Sequence, residues 1–211
     1  QYIPDKNKEQ TWEELHQLTQ DKDSFVQRYA TLALGHAFQH LPDENKEQAL
    51  EDLHKLTRDK DKDVRWGAAE GLDATFQHIP DKHKEQALED LYKLTRDKDS
   101  LIRWAAAISL GHAFQHIPDE NKVQAWEDLH RLTQDKDKDV RKNAAVSLGA
   151  AFPHIINLYL QTSPGSILTA FEQLPLVGLQ KILESAQARD QILQSLGSVK
   201  QKLDPVDGLW D

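Results

Sequence analysis

The chain has 211 residues, 38 % of them hydrophobic and 29 % charged, with a formal net charge of −9 and no cysteine. That length supports one buried core plus an appendage, the acidic balance opposes nucleic-acid binding, and disulfides and thiolate metal sites are excluded. No apolar run reaches about 18 residues and no basic-then-apolar leader occurs, so no membrane partner or secretion signal is expected and the expected location is cytoplasmic.

From its start the chain repeats itself. Prolines at 4, 42, 80 and 118 each follow the last by 38 residues, and the sequence aligns without gaps as units 4–41, 42–79, 80–117 and 118–155. Residues 1–3, "QYI", match the unit endings "QHL" and "QHI", so the array is expected to continue upstream. Each unit reads as two helices. A Pro-Asp pair offers a turn and a capping carboxylate, after which Trp12 or Leu50, Leu15 or Leu53, and Leu18 or Leu56 recur at helical spacing. The polar "DKD" that follows can cap a second helix, whose apolar face carries Val64, Ala68, Leu72 and Phe76. A single hairpin cannot cover its own apolar face, whereas stacked hairpins can. The expected fold is therefore all-α, a right-handed α-solenoid of four 38-residue helical hairpins, residues 1–155, plus a C-terminal helical segment.

The second helices carry a further pattern. "DKDKDVRWGAAEGLD" (Asp59–Asp73) and "DKDKDVRKNAAVSLG" (Asp135–Gly149) share the form DxDxxVRxxAAxxLG, which resembles HEAT-like repeats, including the subtype found in phycobilin lyase subunits. The resemblance implies second helices lining a concave side, and ladders of Arg65, Arg103 and Arg141 with Asp59, Asp97 and Asp135 that tie neighbouring units together. It also admits a rival reading as a bilin-lyase-like subunit. Two positions depart from the pattern: Gln27 replaces the arginine, and Asp73 stands where other units have Gly35, Gly111 and Gly149.

After His154 the repeat dissolves into "IINLYLQTSPGS", so 156–166 is expected to be a linker or turn. Residues 167–211 are helical in character, with Leu179, Ile182, Leu183, Ala186, Leu193 and Leu196 on one stripe. That stripe could cap the fourth unit, belong to an appended domain, or lie in the array's own groove.

Motifs that suggest chemistry have simpler explanations. Asp59, Asp61, Asp63 and Glu70 match part of a calcium loop, but Val64 occupies the slot that needs glycine. His36 with His40, and His112 with His116, are four apart yet lack a third ligand, and His40, His78, His116 and His154 recur beside the turn between units. No metal, cofactor or enzymatic activity is expected. At about 100° per residue, Trp66 and Trp104 point away from the core face. With Arg28, Leu32, Glu70, Ile108, Lys142 and Val146 they make rungs of a groove, flanked by Tyr29, His36, His112 and Asn143. The expected function is a non-enzymatic interaction module that holds a protein or peptide segment there, the chain's own C-terminal helix being one candidate. A purely structural or engineered scaffold is the further alternative.

Overall fold

The computed structural model describes residues 5–162 together with Ser166, Thr169, Ala170, Gln173 and Pro175. Among these the regular structure is wholly helical: α1 Asp5–Leu18, α2 Ser24–Ala37, α3 Asp43–Leu56, α4 Lys62–Thr75, α5 Asp81–Leu94, α6 Ser100–Ala113, α7 Asp119–Leu132 and α8 Lys138–Thr162. Odd and even helices are the first and second helices of the predicted hairpins. Equivalent helices begin 38 residues apart, α3, α5 and α7 at Asp43, Asp81 and Asp119.

Local chemistry sets the boundaries. Asp23, Asp61 and Asp99 are N-caps of α2, α4 and α6, accepting at 2.8–2.9 Å from the backbone N–H of Phe25, Asp63 and Leu101. One turn earlier Asp21, Asp59, Asp97 and Asp135 accept from the N–H groups of Asp23, Asp61, Asp99 and Asp137, so "DKD" is two nested carboxylate turns. The Pro-Asp pair behaves differently from expectation. Pro42, Pro80 and Pro118 hold the N-cap positions with no side-chain cap bond, and Asp43, Asp81 and Asp119 take salt bridges of 2.6–2.7 Å from Lys46, Lys84 and Lys122. A carboxylate already inside the first turn is past the cap position, and still interacts favourably with the helix start.

The same prolines stop the preceding helices. Phe38–His40 and Phe76–His78 tighten into 3₁₀ turns, and Leu41 and Ile79 become extended (ψ 148° and 127°) because proline disfavours helix in the residue before it. After the fourth unit Ile156 stands 38 residues beyond Pro118, where the next proline would fall. Helix α8 therefore runs on to Thr162, through Pro153, with Ile155 and Ile156 buried. The linker expected over 156–166 is thus helix as far as Thr162.

The chain divides into two compact units, Gln1–His116 and Ile117–Asp211. In the first, the buried face is the predicted one: Val64, Ala68, Leu72 and Phe76 are at most 2 % exposed. Helices α2 and α4 meet backbone to backbone, since a Cβ on Gly35 would lie 2.5 Å from the carbonyl oxygen of Gly71. The second helices pack closely on one another while the first helices touch far less. Two kinds of side-chain bond join the hairpins. Arg65, 7 % exposed, donates from Nε and Nη2 to both oxygens of Asp97 (2.7 and 3.1 Å) and from Nη1 to the carbonyls of Asp59 and Lys60. Burial pushes the Asp97 carboxyl up, but the Arg65 bonds and charge outweigh it and hold the group below its usual range. The second kind, on the first helices, runs from His16 Nδ1 to Asp52 and from His54 Nδ1 to Asp90 (2.6 Å).

In the second unit Trp126 of α7 packs 6.0 Å from Phe152 of α8 and donates its indole N–H to Gln173 Oε1 at 2.6 Å, with Ala170 buried nearby. The apolar stripe from Leu179 to Leu196 lies outside the described residues, and with it the cap and groove roles expected of the tail.

Candidate functional site

The site begins with a missing side chain. A Cβ on Gly67 would lie 2.8 Å from the Arg28 carbonyl oxygen and 3.0 Å from Arg28 Cγ, so only glycine lets the Arg28 stem lie along α4. The guanidinium is thereby delivered onto the Trp66 ring, its Cζ 3.5 Å from the ring centroid, a close cation–π stack. One turn on from Trp66 on α4, Glu70 Oε2 lies 3.9 Å from Arg28 Nη2, near enough for attraction and too far for a hydrogen bond. Three polar atoms of this cluster, Arg28 Nε, Trp66 Nε1 and Glu70 Oε2, are shut from solvent without a hydrogen-bond partner among the described residues.

Further along the face, Trp104 and Ile108 of α6 repeat the Trp66 and Glu70 slots, and Leu32 supplies the α2 member; all three are half-buried. His112 of α6 faces Asp73 of α4, its Nδ1 3.0 Å from Oδ1. That bond raises the imidazole's affinity for its proton, with burial opposing. A hollow of about 200 Å³ adjoins the pair, lined by Asp73, Gln77, His112, Gln115 and His116 among others. His36 is exposed.

Tyr29 borders the cluster on α2, its ring centroid 5.2 Å from Arg28 Cζ. Its slot in α4 is Gly67, which faces the preceding helix, so in α2 it faces outward from the stack; Tyr29 is 57 % exposed and, with Phe25, Leu15, Leu18 and Val26, lines an open apolar hollow of about 420 Å³. Lys142, Asn143 and Val146 belong to α8 in the second unit, where Lys142 is exposed, Val146 half-buried and Asn143 bonds back to the Asp139 carbonyl (2.9 Å).

Reading the sequence missed two features. Asp73 was a departure from the repeat without a role, and its role is the bond to His112. The His16–Asp52 and His54–Asp90 rungs pair residues 36 apart, and a column-by-column comparison of units, looking for one residue type facing its complement one unit on, would have found them. Among the described residues no group of three or more His, Asp or Glu could hold a metal ion, and no helix is long and apolar enough to cross a membrane.

Comparison with known proteins follows the architecture. The family described as Sister chromatid cohesion protein PDS5 protein matches residues 5–128, so the phycobilin lyase subtype is not the relation found. No curated protein sequence matches the chain. Among solved structures, an engineered protein from a structural genomics consortium is 22 % identical at a TM-score of 0.58, covering 90 % of this chain and 96 % of its own. A designed armadillo repeat protein in complex with the peptide (KR)4 is 18 % identical at 0.54, with 88 % and 80 % covered. A mutant of Kap121p is 18 % identical at 0.61, with 92 % of this chain and 21 % of that one covered. At these identities the likeness is one of fold, a helical repeat solenoid.

Proposed function

Since the chain belongs to the PDS5 family of sister chromatid cohesion proteins, we propose that it works as a non-enzymatic interaction module, holding an extended segment of a partner protein along the face formed by α2, α4 and α6. The observation that carries this reading is the contrast between slots on the same helices. Core slots are filled alike from unit to unit, Phe38, Phe76 and Phe114 being at most 1 % exposed, whereas face slots hold Arg28, Trp66 and Trp104, all different from what burial alone requires. Solenoids present such faces as extended binding surfaces, and tryptophan is enriched among residues that dominate interfaces. The designed armadillo repeat protein of similar fold binds a peptide, which supports a peptide-like partner, and the net charge of −9 argues against nucleic acid.

Selecting binders from a library of random displayed peptides tests this. Peptides selected on the wild type should lose at least tenfold in affinity when Trp104→Ala and Ile108→Ala are combined, and should be indifferent to Glu51→Ala on the outer helix α3. Selected peptides that bind the double variant as well as the wild type would overturn the reading.

A further inference from the structure

Arg28 occupies its position poorly. A buried guanidinium is ordinarily met by carboxylates and carbonyls, as Arg65 is; Arg28 instead stands 3.9 Å from Glu70, beyond hydrogen-bond distance, and among the described residues its Nε, the Trp66 N–H and Glu70 Oε2 are buried without a hydrogen-bond partner. Each unmet buried group disfavours the arrangement. Yet the chemistry is well matched in kind: a planar cation over an indole face at 3.5 Å, with a carboxylate at its edge.

We infer that the Trp66–Glu70 slot is a binding site for an arginine side chain of the partner, and that Arg28 is a resident stand-in displaced when that side chain enters. The occupant shows what the slot accepts. A guanidinium arriving from outside the stack is free of the α2 backbone, so it can lie on the ring and reach Glu70 at hydrogen-bond distance together, which Arg28 does not. When Arg28 swings out, its exposed donors return to water. Gly67 serves both states, since its missing Cβ lets the Arg28 stem lie flat against α4 without locking the guanidinium. Arg28 then sets the affinity of the face, and the partner chemistry is an exposed, arginine-bearing segment.

This rests on the binding-face reading and can fail while that reading stands. The probe is a fluorescently labelled peptide of alternating arginine and glycine, with a control in which every arginine is citrulline, the same shape without the charge. Binding is measured by anisotropy to the wild type, Arg28→Ala, Arg28→Ala/Glu70→Gln and Arg28→Ala/Trp66→Leu, each checked for helical content by circular dichroism. The expected result is that Arg28→Ala binds the arginine peptide about tenfold tighter than the wild type, gains nothing toward the citrulline peptide, and loses the gain in both double variants. Should Trp66→Leu unfold the chain, Glu70→Gln alone decides. Equal binding to the wild type and Arg28→Ala, a gain kept in the Glu70→Gln background, or no binding to any form overturns the stand-in; the library-selected peptides and their loss at Trp104 and Ile108 judge the face independently.

Discussion

Two arginines on neighbouring second helices are both largely buried and have opposite circumstances. Arg65, beside the hairpin turns, makes four hydrogen bonds to Asp97 and to two carbonyls; Arg28, in the slot equivalent to Trp66, stacks on that ring and makes none at its Nε. Burial alone does not separate a structural cation from a functional one. Satisfaction does: a guanidinium with every nitrogen bonded is fixed by the fold, and one with a buried nitrogen left unmet calls for a reason other than stability.

The contrast is easiest to break at Arg65. Arg65→Ala removes one partner of a buried pair and strands Asp97, so chemical denaturation should show a loss of about 3 kcal/mol or more. If Arg28→Ala proves equally costly, the distinction between the two collapses. Gly35→Ala sharpens it from the backbone side, because a methyl 2.5 Å from the Gly71 carbonyl oxygen must push α2 off α4, at about 2 kcal/mol; the Arg28–Trp66 stack should loosen with it, visible as a changed Trp66 indole resonance. Arg28→Ala itself should cost less than about 1 kcal/mol, since what is lost is the stack on Trp66, a longer contact with the exposed Tyr29 ring and a long-range attraction to Glu70.

The smallest effect concerns pH. The bond to Asp73 raises the proton affinity of His112 in the folded chain, so the pair's contribution is complete below the imidazole's unfolded value and fades as pH rises through the raised folded value. Wild type should therefore exceed Asp73→Asn by about 0.5 kcal/mol at pH 5.5, the size of a largely exposed pair, with the gap closing above pH 8. A gap that grows with pH would reverse the assigned sign.

How much of this was legible in the sequence depends on whether the cause is local. Helix identity, the caps at Asp23, Asp61 and Asp99, and the Val64–Phe76 face follow from residues within one hairpin, and the 38-residue period is the spacing at which α3, α5 and α7 begin. The run-on of α8 was readable too, in Ile156 standing where earlier units have proline, but Ser163, Pro164 and Gly165 drew attention to the wrong end of the segment. The candidate face was legible only as directions. Projection put Arg28 and Trp66 in equivalent slots but could not say that Gly67 brings one onto the other, because that depends on how closely two helices from different units approach. Tyr29 flanks Arg28, whose Cζ lies 5.2 Å from its ring centroid, but the open hollow that it also lines with Leu15 and Phe25 is a relation between helices that one helix projected alone does not contain.

The central claim, that the second-helix face receives a partner segment, is tested most directly by the indole N–H resonances of the ¹⁵N-labelled protein titrated with a library-selected peptide. The chain carries its own controls, since Trp66 and Trp104 lie on α4 and α6 while Trp12 and Trp126 are buried on the first helices α1 and α7. The account predicts that the Trp66 and Trp104 signals move in proportion to occupancy while those of Trp12 and Trp126 stay still. Movement of Trp12 or Trp126 with Trp66 and Trp104 unchanged would contradict it.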